Sequence, residues 1–127
     1  MRYNASSNDA SSSVRIKRIY EQAVPEDGMR VLVDRLWPRG ISKARAGLDL
    51  WLKDAAPSGV LRTWFGHKPE RWAEFLRRYR MEMSNSAAFE QLRVLARTHR
   101  VTLLYAAKDE THNEAAALAC FLLQDSS

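Results

Sequence analysis

The chain is poor in the residues that announce the commonest chemistries. Its single cysteine, Cys120, forbids an internal disulfide and a CxxC metal site. Set in the apolar run AALACFLL, it is expected to pack as a small core hydrophobe. The three histidines, His67, His99 and His112, lie far apart without HExxH or comparable spacing, so no metal site is predicted. The five glycines form neither GxGxxG nor GxxxxGK, and no GxSxG elbow occurs, which disfavours dinucleotide-binding, phosphate-loop and serine-hydrolase folds. No cofactor is assigned. Apolar runs fall far short of the roughly 20 residues of a membrane span, and the opening MRYNASSNDASSS has no apolar core of a secretory signal. A cytoplasmic protein without a membrane partner is expected.

What is present suits one globular unit. The 127 residues are 46% hydrophobic and include four each of Trp, Tyr and Phe, enough for a sizeable core. Residues 1–13 are small and polar and are expected to form a disordered tail, leaving 14–127 as a single domain.

From Val14, VRIKRI alternates apolar and basic residues, predicting an edge strand with Arg15, Lys17 and Arg18 toward solvent. The linker before Met29 is too short for a crossover helix, so the first two strands are antiparallel neighbours or not adjacent. Met29 to Val33 is nearly continuously apolar, as in a central strand covered on both faces. A short helical turn is expected around Leu48 to Lys53, then a helix capped by Ser58 that carries Leu61, Trp64 and Phe65. A longer helix starts near Pro69, with Trp72, Phe75, Leu76, Tyr79 and Met83 on its apolar face and Glu74 and Arg78 paired on the other. Ser84 or Ser86 caps a helix with Phe89, Leu92 and Ala96; VTLLYA from Val101 reads as a second central strand, and a last helix runs from Asn113 to Leu123. The order implies an α/β fold: a small two- or three-layer domain with a short, mainly parallel central sheet and several helices.

Net charge is +5, and between residues 30 and 45 Arg30, Arg35, Arg39, Lys43 and Arg45 oppose only Asp34, which favours an anionic partner. Two loops that follow apolar strands, DRLWPRG at 34–40 and AKDETHN at 107–113, would share one mouth if their strands are parallel neighbours. There Arg35, Arg39 and Lys108 suit anion contact, while Asp34 and His112 suit proton transfer or hydrogen bonding. Asp109 belongs to the same cluster, Asn113 would orient a ligand, Trp37 can stack on a planar one, and His67 can lean over the mouth as a lid. The structural alternatives are that Asp34 pairs with a neighbouring arginine, His112 finishes a helix start and Trp37 plugs the sheet end. The expected ligand is an anionic small molecule such as a nucleotide or phosphorylated metabolite. One rival is nucleic-acid binding through Arg30, Lys43, Arg45, Arg77, Arg78 and Arg80; another is a non-catalytic protein-interaction module. Oligomeric state and the presence of catalysis are open at this level.

The runs KRIY (17–20), VLVDRLWPRGISK (31–43), WLKDAAPS (51–58), LRTWFGHKPERWAEF (61–75) and LLYAAKDETHNEAAAL (103–118) together resemble the bacterial YeaO-like proteins of the domain-of-unknown-function 488 group. The resemblance spans nearly everything from Val14 to Leu123 and implies a compact α/β domain of cytoplasmic bacterial type, with no activity to carry over. Longer relatives have a Cys-His-Arg segment where this chain has Thr111, His112 and Asn113, so thiol chemistry is not implied here.

Overall fold

The computed structural model describes residues 14–126; the expected tail at 1–13 lies outside them. Four strands, β1 (Val14–Arg18), β2 (Met29–Leu32), β3 (Leu50–Trp51) and β4 (Val101–Tyr105), form an all-parallel sheet in the order β1-β4-β2-β3. β1 is the predicted edge strand, and it is separated from β2 by β4. β2 and β4 are parallel neighbours, with Val31 opposite Leu103.

Five helices accompany the sheet: α1 (Lys43–Ala46), α2 (Gly59–Phe65), α3 (Trp72–Met83), α4 (Ala87–Thr98) and α5 (Glu114–Ser126). Side chains alternate across a strand, so β2 and β4 feed two cores. Val31, Val33, Val101, Leu103 and Tyr105 pack with α2 to α5, through residues such as Leu61, Phe75, Tyr79, Leu92 and Phe121. Leu32 and Leu104 point the other way and meet Ile19, Ile41 and Ala46, a smaller core roofed by α1 and its flanking loops. Among the described residues no helix is long and apolar enough to cross a membrane.

Caps form where side-chain chemistry asks for them. Ser58 Oγ accepts the N–H of Leu61 at 3.1 Å and Ser86 Oγ that of Phe89 at 3.0 Å. Glu74 accepts from Arg78 at 2.7 Å.

Three expectations fail. The helical turn at Leu48 to Lys53 is instead strand β3 followed by a 3-10 turn, because pairing with the open edge of β2 satisfies its backbone, a nonlocal gain that local propensity does not record. Cys120 is exposed, not core: the 3.6-residue period of α5 turns it outward while Phe121 and Leu122 turn in. Lys17 is largely covered, because Asp27 draws its ammonium to 3.1 Å.

Asp27 anchors a polar network on the smaller-core face. Its carboxylate, 1% exposed, takes Arg30 Nη1 at 2.6 Å and the Val24 N–H at 3.1 Å, while its carbonyl accepts from Thr102 Oγ1 at 2.7 Å. Arg30 completes its fork on the Ala46 carbonyl, tying β2 to α1. Gly28 follows with φ +65°, and a Cβ there would lie 2.3 Å from the Arg100 carbonyl oxygen, so only glycine lets β2 start beside β4.

Candidate functional site

The carboxyl ends of β2 and β4 open into a cleft of about 380 Å³. Asp34 stands at its inner end. Its Oδ2 accepts the N–H of Ala106, just past β4, at 3.1 Å, and its carbonyl takes Trp51 Nε1 at 2.7 Å. The loop after β4 is braced from outside by Arg18, which donates to the carbonyls of Ala106 and Ala107 at 2.9 and 3.0 Å. The two predicted loops therefore meet because their strands are neighbours, and hydrogen bonds fix their separation.

Of the residues expected at the mouth, Asp34, Arg35, Trp37, Arg39, His67, His112 and Asn113 line the cleft. Arg35 is partly engaged, reaching the Ala56 and Pro57 carbonyls at 3.4 and 3.5 Å and lying 3.7 Å from Asp54. The Arg39 side chain is exposed, with its backbone carbonyl held by Tyr20 Oη at 2.8 Å. Trp37 is committed to structure on one edge: Nε1 donates to the Ile41 carbonyl at 2.8 Å and the ring meets Trp51 edge-on at 5.4 Å. His67, exposed after the end of α2, has φ 57°, an uncommon backbone state for a residue with a Cβ.

Lys108 and Asp109 do not line the cleft. Lys108 is exposed on the loop, while Asp109 folds back to accept the N–H groups of Thr111 and His112 at 3.0 Å each. Those N–H groups, with the side chains of His112 and Thr111, hold its carboxyl well below the usual carboxylate range. Asp109 Oδ2 also lies 3.0 Å from His112 Nδ1, and the imidazole rests edge-on against Trp72 at 5.2 Å. Asn113 is buried and is the cap of α5: its Oδ1 accepts the Ala116 N–H at 2.8 Å and its Nδ2 donates to the Asp109 carbonyl at 2.9 Å.

Two charged cleft residues escaped the sequence reading, Arg62 on α2 and Glu114 in the first turn of α5. Glu114 directly follows Asn113, the first residue of the predicted last helix, so its place at a helix start was legible, but its facing Asp34 depends on how α5 docks. Among the described residues no N–H reaches the buried Asp34 Oδ1, and the group that Asp34 meets is the Glu114 carboxyl. Two acceptors can face each other only by sharing a proton. Burial first, and then Glu114, push Asp34 up to about 9, against the opposing pull of the Ala106 N–H and the Arg62 charge.

The residues of the nucleic-acid alternative are dispersed. Arg30 is 3% exposed and committed to Asp27 and Ala46. Arg77 and Arg78 are tied to Glu74, and Arg80 to Asp125, while Lys43 and Arg45 are exposed on α1. Among the described residues no group of three or more His, Cys, Asp or Glu could hold a metal ion.

A family model described as "Inactive DUF488-N3 subclade" matches residues 13–127. An uncharacterised protein of Mycobacterium tuberculosis is 47% identical over 109 residues, covering 86% of this chain and 92% of its own length. A Mycobacterium bovis protein, also uncharacterised, matches to the same extent, with 47% identity over 109 residues. The uncharacterised protein YeaO of Escherichia coli is 40% identical over 111 residues, covering 87% of this chain and 96% of its own. No solved structure matches. A family model spanning the whole described domain and relatives aligned over nearly their full lengths place this chain in the YeaO-like DUF488 family.

Proposed function

We propose that the cleft binds an anionic small molecule, such as a nucleotide or phosphorylated metabolite, and that it does so without turning the ligand over. The observation that carries this reading is the convergence of Arg35, Arg39 and Arg62 on one cleft whose walls include Phe65, Phe75, Pro38 and Pro57. Guanidinium groups present planar forks that suit phosphate or carboxylate, and apolar walls suit the body of a metabolite. Three guanidiniums outnumber the two carboxyl groups of Asp34 and Glu114, so the cleft lining is positive on balance.

A binding role without chemistry agrees with the description of the matching subclade as inactive. It also agrees with the side chains. The position that the resemblance gives to a cysteine is Thr111, whose hydroxyl is occupied by Asp109 and His112, and among the described residues the cleft lining contains no serine, threonine, cysteine or lysine. His112 is held by Asp109 and Trp72, a setting that fixes a ring as a hydrogen-bonding wall. The ligand is a metabolite of the cytoplasm, where we place the protein.

Thermal-shift measurements against nucleotides, sugar phosphates, carboxylates and short oligonucleotides test this reading. A ligand present at 100 times its Kd stabilises the folded state by about 2.7 kcal/mol. At least one phosphorylated or carboxylated metabolite is expected to raise Tm, and Arg39→Ala to abolish most of that shift. Silence from every small anion, or an undiminished shift in Arg39→Ala, contradicts the proposal.

A further inference from the structure

One side chain of the cleft wall carries hydrogen-bonding capacity that no neighbour uses. We infer that His112 completes the anion site by donating from Nε2 to the bound group, so that the cleft selects a phosphomonoester dianion over a phosphodiester or a carboxylate and takes up a proton at His112 as it binds. The inference rests on the anion-binding reading and narrows it to one class of anion.

The two ring nitrogens of His112 stand in different surroundings. Nδ1 lies 3.0 Å from Asp109 Oδ2 and 3.1 Å from the Thr111 hydroxyl. Asp109 is an acceptor only, because its other oxygen already takes the N–H groups of Thr111 and His112 and the Thr111 hydroxyl. The proton of the neutral ring therefore sits on Nδ1, and Nε2 is left as a lone pair. Asp109 on one side and the edge-on Trp72 ring at 5.2 Å hold the imidazole in place as part of the cleft lining. Among the described residues nothing hydrogen-bonds Nε2. A bare lone pair repels an anion's oxygen. A protonated Nε2 donates to it instead, while the Asp109 carboxylate behind the ring compensates the imidazolium charge.

The arrangement of donors favours a tetrahedral dianion. They come from three elements: Arg35 and Arg39 from the loop after β2, Arg62 from α2, and His112 from the turn before α5. A carboxylate is planar and is largely satisfied by one guanidinium fork, whereas a phosphomonoester presents three terminal oxygens in different directions and a second charge. At about 380 Å³ the cleft is near the small end of ligand pockets, so a group held among the arginines also meets the His112 wall. The ionisable groups around His112 are Asp109 on its own turn, Glu114 from α5, Arg62 from α2, and Asp34, Arg35 and Arg39 from the β2 loop, with His67 on the same cleft; α3 contributes the uncharged Trp72. The guanidiniums oppose a further positive charge in the free protein, and a bound dianion removes that opposition, which ties the proton to the ligand. Affinity for a phosphomonoester therefore rises as pH falls from about 8.5 to about 7, because the ring gains its proton more readily while the ester, with its second ionisation near pH 6, stays mostly dianionic.

Calorimetric titration of matched probes in buffers of different ionisation enthalpy decides the matter: phenyl phosphate against methyl phenyl phosphate and benzoate, and adenosine 5′-monophosphate against its methyl ester. In at least one set the monoester is expected to bind at least about tenfold more tightly than its partners, the size of one charge-assisted hydrogen bond. Its binding near pH 7.5 is expected to take up a proton. His112→Gln should abolish that uptake and bring monoester and diester to within about threefold, while His99→Gln, outside the cleft, should change neither. Long-range proton–nitrogen NMR of the native protein reads the ring directly and does not depend on how a variant folds. His112 is expected to carry its proton on Nδ1 in the free protein and on both nitrogens in the monoester complex. Equal binding of monoester and diester, no proton uptake, uptake that proves to lie on His67, or a neutral His112 ring in the complex overturns this inference, and weakening of the same probes by Arg39→Ala then leaves the anion site standing. Failure of every probe to bind overturns both.

Discussion

Asp34 carries a carboxyl group that water would ionise and the cleft does not. Because its folded value lies far above that of an unfolded chain, the folded state holds a proton that the unfolded state releases over the interval from about pH 4 to about pH 9. Stability from this group is complete below that interval and is lost as pH rises through it. Asp34→Asn keeps an oxygen for the Ala106 N–H, offers Glu114 an amide donor and removes the titration. The native Tm is therefore expected to fall between pH 6 and 9 more steeply than that of Asp34→Asn, by at most about 1.4 kcal/mol per pH unit for one proton. Parallel curves from differential scanning calorimetry would show that no proton is shared. Asp34 was legible as a residue of the sheet mouth from its place after an apolar strand. Its partner was not, since no spacing rule links position 34 to position 114.

At the scale of elements, the start of α5 shows how one residue serves both stability and placement. Asn113 satisfies the Ala116 N–H with its oxygen and the Asp109 carbonyl with its amide, joining the turn that holds His112 to the helix that carries Glu114. Asn113→Ala removes the cap and is expected to cost about 1 to 2 kcal/mol, read as a lower urea midpoint with unchanged m-value. Asn113→Asp keeps the capping oxygen but not the amide, so it should recover only part of the loss. A midpoint unchanged in Asn113→Ala would deny the cap its role. The helices were largely readable because their caps and apolar periods are local. Strand β3 was not: its two residues are a strand only because the edge of β2 lies open beside them.

For the molecule as a whole, the sheet has one face under four helices and another closed partly by charge. Asp27 links Lys17 on β1, Arg30 on β2, Thr102 on β4 and, through Arg30, α1. Burial alone would raise its carboxyl, but the Val24 N–H, Lys17 and Arg30 outweigh that and hold it below the usual carboxylate range. Asp27→Ala leaves Arg30 charged, buried and half-partnered, which is expected to cost about 3 to 5 kcal/mol in denaturant unfolding. The double change Asp27→Ala with Arg30→Met should recover a large part of it. A near-neutral Asp27→Ala would mean that water already reaches Arg30. Arg30 also shows why composition misleads about partners: it stands in the basic stretch that points to phosphate contact, yet its charge is spent inside the fold.

The amino-acid sequence by itself determined the α/β class, the edge position of β1, the two central strands and the loops that meet at their ends. These follow from periodicity, capping residues and the chemistry of the first polar residues after an apolar run, all of which act over a few neighbouring positions. Tertiary structure alone decided that Glu114 and Arg62 join the cleft, that Lys108 and Asp109 stay outside it, that Arg30 is buried and that Cys120 is exposed. Each of these depends on the rotation of a helix or loop about its axis as it docks, and that rotation is set by packing among residues distant in the chain.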